Sequence, residues 1–205
     1  MVQKKESVLE EFLKSLKVRP SSNVVFNQYR NSYAHDNLRL FLVYLLEHRH
    51  DVLLIGEAPG YKGCRLSGIP FTSGSVIRGA KHNIFKQIGD KISIPKLDTE
   101  ATASVFWEFF GNNRPIPILW NAFPFHPHLS DNPDSNRKPT HLEIDEGKSY
   151  LLMLHEIFRP KKLCSVGRVG QAILSELFPS NQITYVRHPS RGGKKPFMKG
   201  MAELC

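Results

Sequence analysis

Val52-Leu53-Leu54-Ile55-Gly56-Glu57-Ala58-Pro59-Gly60 is the stretch whose reading decides the fold. Four apolar residues run without polar alternation, the pattern of a strand buried on both faces in a parallel sheet covered by helices. The strand breaks at Gly56 and hands a carboxylate, Glu57, to its carboxyl end. Pro59 and Gly60 then turn the backbone sharply. In open α/β sheets that end of a strand is where ligands bind. A short loop later, Gly68-Ile69-Pro70-Phe71 brings an aromatic residue within reach of the same place.

Working outward, apolar runs predict further strands over residues 116–120, 162–166 and 182–186. Helical periodicity predicts helices over 1–16, 37–47, 74–88 (opening on Ser75), 99–110 (with Thr99 as N-cap), 142–158 and 169–177, with a short one from Pro196. Residues 123–140 read as a long polar, proline-rich loop, of a length usually functional or disordered. This alternation implies an α/β fold, a three-layer α/β/α sandwich with a central, mostly parallel four-stranded sheet. The length of 205 residues suits a single domain over 1–205, with an N-terminal helical extension at about residues 1–20.

Lys and Arg number 28 against 19 Asp and Glu, a formal net charge of +9 that favours polyanionic partners, nucleic acid first. No apolar stretch approaches the roughly 18 residues of a membrane span. The charged N-terminus lacks the apolar core of a secretory signal, so a cytoplasmic protein is expected. Cys64, Cys164 and Cys205 have no paired spacing and support neither a disulfide framework nor a thiolate metal site. Cys164, within an apolar run, reads as a reduced core residue.

Three predicted strands present polar groups at one edge, because the carboxyl ends of parallel strands lie on one side. These are Glu57, Asn121 and His188, with Phe71 reaching the same pocket. The set suits a planar heterocycle. An aromatic face supplies stacking worth roughly 1–3 kcal/mol per base. A side-chain amide matches the edge of a base. A histidine can donate to charge developing on a leaving group, worth about 2.7–4 kcal/mol. A carboxylate can position a water or stabilise a cationic sugar. The loop Arg187-His188-Pro189-Ser190-Arg191-Gly192-Gly193-Lys194-Lys195 adds positive charge around the histidine and suits phosphate contact. His126-Pro127-His128 lacks companions at metal-ligand spacing. Gly56–Gly60 lacks the Gly-Lys-Ser/Thr ending of a phosphate-binding loop.

These residues resemble the uracil-DNA glycosylase superfamily, in particular the branch that usually carries an iron–sulfur cluster. The resemblance rests on GEAPG (Gly56 to Gly60), GIPFTSG with Phe71, the segment led by Asn121, NRKPT (Asn136 to Thr140) followed by Glu143, and HPSR (His188 to Arg191). It spans roughly residues 50–195. It implies that Phe71 stacks on a flipped uracil, that Asn121 reads its Watson–Crick edge, and that His188 stabilises the departing uracil anion. Glu57 would orient the hydrolytic water or support the sugar cation, with Gly56, Ala58 and Tyr61 lining the pocket. Ser190, Arg191, Lys194 and Lys195 would meet the DNA.

Three departures stand out. The cluster-bearing branch has a cysteine four residues after the asparagine, where this chain has Phe125, so no iron–sulfur cluster and no metal are expected. The acidic residue often found shortly after GEAPG is replaced by Tyr61-Lys62-Gly63. Gly60 stands where the best-known branch blocks the thymine methyl with a bulky side chain, and Tyr61 is the candidate to take over that role. The expected function is a monofunctional uracil-DNA glycosylase of base excision repair. It would flip deoxyuridine out of DNA, release uracil and leave an abasic site, acting as a monomer without a membrane. Two other readings stay open, a glycosylase for mispaired thymine or hypoxanthine and a catalytically weak DNA-binding relative.

Overall fold

A computed structural model describes residues 2–48 and 50–204, with side chains from residue 5 onward. Met1 and Cys205, which the sequence reading touched, lie outside the described residues. In chain order the elements are α1 (Val2–Val18), β1 (Val25–Phe26), α2 (Ser32–Glu47), β2 (Val52–Gly56), α3 (Cys64–Ser67), α4 (Gly74–Gly79), α5 (Asn83–Ile88) and α6 (Ala101–Phe110). They continue with β3 (Ile118–Asn121), β4 (His126–Pro127), α7 (His141–Phe158), β5 (Lys162–Val166), α8 (Arg168–Leu177), β6 (Ile183–Val186) and α9 (Lys194–Leu204).

The central sheet has four strands in the order β3-β2-β5-β6, all parallel, as expected. Leu53, Leu54 and Ile55 of β2 are wholly buried, which is why that strand could dispense with polar alternation. Helices flank the sheet: α7 and α8 pack together beside β3 and β5, while α6 packs with α9, which lies along β6. Helix α1 joins the same core. Its Leu9, Phe12, Leu13 and Leu16 are buried, and Phe12 meets Trp120 edge-on at 5.2 Å. Cys164 is wholly buried on β5. Among the described residues no helix is long and apolar enough to cross a membrane.

Several boundaries differ from the sequence reading, each for a local reason. The helix over 74–88 is two helices. Ala80 is extended, and the chain restarts at His82, whose Nδ1 accepts the Ile84 N–H at 3.2 Å while its Nε2 lies 2.9 Å from the Arg114 carbonyl. Helix α6 starts at Ala101 with Glu100, not Thr99, at the N-cap position. Strand β3 begins at Ile118 because Pro117 has no N–H to give the ladder. Helix α2 starts earlier than expected, at Ser32.

Residues 123–140 are ordered by specific contacts rather than left as an open loop. β4 pairs antiparallel with β1, and Arg137 spans Val24, His128 and the Glu143 carboxylate. Thr140 and Glu143 form a capping box that starts α7. One turn further along α7, Gly147 lies on the chain just after β3. A Cβ there would sit 1.8 Å from the Ala122 carbonyl oxygen.

That contact makes Gly147→Ala a test of the packing. Alanine is favoured over glycine in a helix interior by about 1 kcal/mol. Overpacking against immovable backbone costs about 1–3 kcal/mol and sometimes more. The variant is expected to be less stable, with a lower urea midpoint at unchanged slope. A midpoint at or above that of the wild type would show that α7 does not sit against Ala122.

Candidate active site

Parallel register aligns the strand ends, with Gly56 beside Asn121, Ile55 beside Ser165 and Val166 beside Val186. The residues that follow open into one cleft of about 740 Å³. Gly56, Glu57, Ala58, Phe71, Asn121, His188, Ser190 and Arg191 all line it, so most of the dispersed candidates from the sequence do converge.

The floor is Gly56. A Cβ at this position would lie 2.6 Å from Phe71 Cζ and 2.7 Å from Asn121 Oδ1. Its absence lets the ring and the amide close over one spot. Phe71 is in the left-handed region, with φ 55°, which costs a bulky residue about 1–3 kcal/mol. The surroundings impose it. Trp107 donates its indole N–H to the Phe71 carbonyl at 3.2 Å, and the Phe71 ring stacks on Phe106 at 4.8 Å and 18°. Asn121 is 5% exposed, and among the described residues no hydrogen bond engages its side-chain amide. A donor and an acceptor therefore face the cleft beside an aromatic ring, a combination that can stack a planar heterocycle and read its edge.

His188 leaves the end of β6 on a tight loop. Arg191 and Gly192 have φ of 50° and 76°, and a Cβ on Gly193 would overlap the His188 carbonyl oxygen at 2.0 Å. The Ser190 backbone N–H donates to His188 Nδ1 at 3.2 Å, and the Ser190 hydroxyl lies 2.8 Å from the same nitrogen. A backbone N–H can only donate, so Nδ1 is the acceptor and Nε2 carries the proton of the neutral ring. Burial, and secondarily the Arg187 charge, hold the His188 pKa below its ordinary value. At neutral pH the group is an uncharged donor.

Burial raises the Glu57 carboxyl above the usual range, opposed by the Lys138 ammonium. The turn after Glu57 is braced from behind. His126, fully buried, reaches the Pro59 carbonyl through Nδ1 at 2.8 Å and the Pro133 carbonyl through Nε2 at 3.0 Å. Asn136 Oδ1 accepts the Tyr61 N–H at 3.0 Å.

Tyr61 itself does not line the cleft, and its ring lies under the Lys62 ammonium at 5.4 Å. Lys194 and Lys195 are not cleft residues either, and Lys194 is paired with Glu108 at 2.8 Å. Arg168, Arg187, Arg191 and Lys138 supply the positive charge along the cleft. Two of these, Arg168 and Lys138, were not singled out from the sequence. Glu100, a second carboxylate in the cleft wall, was not singled out for the site either. Its sequence position, seen only as the first turn of a helix, gave no signal of it.

The His188 geometry predicts a titration. Since burial and Arg187 both favour the neutral ring, its NMR midpoint should fall below the ordinary value of about 6.5. The neutral form should be the Nε2–H tautomer, and Arg187→Ala should raise the midpoint. A midpoint at or above the ordinary value, or an Nδ1–H tautomer, would contradict the arrangement.

The sequence model described as "Uracil DNA glycosylase superfamily" matches residues 44–204. Curated proteins give no match. Among solved structures, the fold is similar to wild-type SMUG2 of Pedobacter heparinus, with a TM-score of 0.63, 12% identity and 96% of each chain covered. At that identity the likeness concerns the fold, whereas the sequence match covers most of the chain, and the protein belongs to the uracil DNA glycosylase superfamily.

Proposed function

We propose that this glycosylase hydrolyses the N-glycosidic bond of deoxyuridine in DNA, releasing uracil and leaving an abasic site. The observation that carries the reading is the Asn121 amide, 5% exposed and unengaged by the described residues, set against the Phe71 ring over a residue without a side chain. A uracil drawn out of the duplex would stack on Phe71 and present its edge to Asn121. Extrusion costs a few kcal/mol. Arg168, Arg187 and Arg191, with Ser190 and the exposed Lys195, offset it by holding phosphates.

Bond cleavage builds positive charge on the sugar and negative charge on the base. His188 would donate its Nε2–H to the leaving base, an interaction strongest when the base has become an anion. The ionised Glu57 would stabilise the cationic sugar. The chemistry is hydrolytic and monofunctional, and it needs one copy of the chain.

The reading includes no iron–sulfur cluster, because the donor set does not fit one. Phe125, at the position of the expected cysteine, is wholly buried, with Tyr29, Phe123 and Tyr150 edge-on around it. Cys64, on α3, and Cys164, on β5, are both buried. Among the described residues no group of three His, Cys, Asp or Glu could hold a metal ion.

The test is cleavage of oligonucleotides carrying U·G, U·A, single-stranded U, T·G or hypoxanthine, followed by alkaline strand scission. Uracil release is expected. Release of thymine or hypoxanthine alone would move the proposal to another base, and no product with DNA binding intact would refute it. His188→Ala should lower the single-turnover rate by about 100- to 1000-fold, the worth of one such donor, with DNA affinity unchanged. Asn121→Asp exchanges a donor for an acceptor and should change which base is accepted. Unaltered selectivity would remove Asn121 from its role.

A further inference from the structure

Glu100 reaches the cleft from the start of α6, far in sequence from Glu57. Two glycines of the turn after β2 make room for its carboxylate. A Cβ on Gly60 would lie 3.3 Å from Glu100 Oε1, and one on Gly63 would lie 1.7 Å from Oε2. The oxygens therefore occupy space that side chains at 60 and 63 would otherwise fill. Among the described residues no hydrogen bond or ion pair engages this carboxylate.

Arg168, Arg187 and Arg191 line the same cleft, but burial alone sets the state of Glu100, and other charges of this part of the chain are engaged. Lys62 lies over the Tyr61 ring, Lys96 pairs with Asp98, Arg137 pairs with Glu143, and the Lys138 charge acts on Glu57. The Cys64 thiol of α3, the titratable neighbour on that side, is driven up by burial and stays neutral. His188 lines the same cleft as an uncharged ring.

We infer that Glu100 is a second working carboxylate of this cleft, the base that takes the proton of the attacking water. The inference rests on the proposed hydrolysis. The water oxygen bonds to the sugar C1′ as the C1′–N bond breaks. The bonding electron pair leaves with the base, and the water's proton passes to Glu100. The base anion is then protonated from solvent.

Burial, with nothing opposing it, raises the Glu100 pKa to about 7, so the group is part ionised at neutral pH and can both accept and return a proton. Glu57 differs because Lys138 opposes its burial. Two carboxylates in different environments are thus available for two tasks.

The experiment compares wild type, Glu100→Gln and Gly63→Ala in two measurements. In proteins carrying ¹³C-labelled glutamate, one carboxyl should titrate near 7. It should be missing in Glu100→Gln and shifted toward the ordinary range in Gly63→Ala, where the new methyl pushes the flexible carboxylate outward. In single-turnover uracil release, the wild-type rate should rise with pH through a limb near 7, because the ionised form is the base. Glu100→Gln should lose that limb and fall about 100-fold or more at pH 8, the low end for general-base catalysis. Its affinity for DNA bearing a non-hydrolysable deoxyuridine should change less than about twofold.

A carboxyl titrating in the ordinary range would overturn the inference. So would an unchanged rate and limb in Glu100→Gln, or an equal loss at every pH accompanied by a lower Tm, which would mark a structural prop. Active wild type with an indifferent Glu100→Gln defeats this inference alone. Wild type inactive on every substrate defeats the proposed function with it.

Discussion

The cleft depends on a missing side chain. Gly56 ends the central strand, and both Phe71 and Asn121 lean over its α-carbon at distances that a methyl group would forbid. The parallel register places Asn121 there by pairing Gly56 with it across β2 and β3. Phe71 is brought there against its own backbone preference, with a positive φ sustained by Trp107 and by the ring of Phe106. Strain of this kind, about 1–3 kcal/mol, persists only where surrounding structure outweighs it. The buried aromatic layer of α6 therefore belongs to the site's rigidity as much as to the core.

The electrostatics follow from depth. His188 is an uncharged donor because burial and Arg187 disfavour the imidazolium, and because Ser190 occupies Nδ1. Both acidic groups are pushed toward protonation by the same burial, but only Glu57 has a lysine working against it. On the proposed reading, a neutral donor meets the base, a carboxylate meets the sugar, and arginines at the cleft meet phosphates. The basic charge of the chain, +9 overall, then has a defined place to act.

Much of this was legible in the sequence because parallel topology turns strand ends into neighbours. The apolar run 52–55 announced a doubly covered strand, and the four-stranded parallel sheet followed from alternation, though not the order of its strands. What escaped were features that depend on contacts distant in sequence. Glu100 sits in a helix cap with no motif about it, and only the three-dimensional turn at Gly60 and Gly63 reveals where its carboxylate goes. The break at 80–82 was hidden because a histidine ring, not an Asp or Ser, caps α5. The order in residues 123–140 comes from His126 and Arg137 grasping backbone carbonyls of other segments, a use of polar side chains that composition reads as loop. Tyr61 was placed in the pocket by its neighbours in the chain, yet the turn carries its ring out of the cleft.

The most direct measurement is a structure of this protein with duplex DNA containing a 2′-fluorinated deoxyuridine that resists hydrolysis. The account predicts the uracil outside the duplex, its face on the Phe71 ring, its edge on the Asn121 amide and its O2 toward His188 Nε2. A uracil still stacked in the helix, or a cleft engaged by DNA with Phe71 and Asn121 untouched, would contradict it.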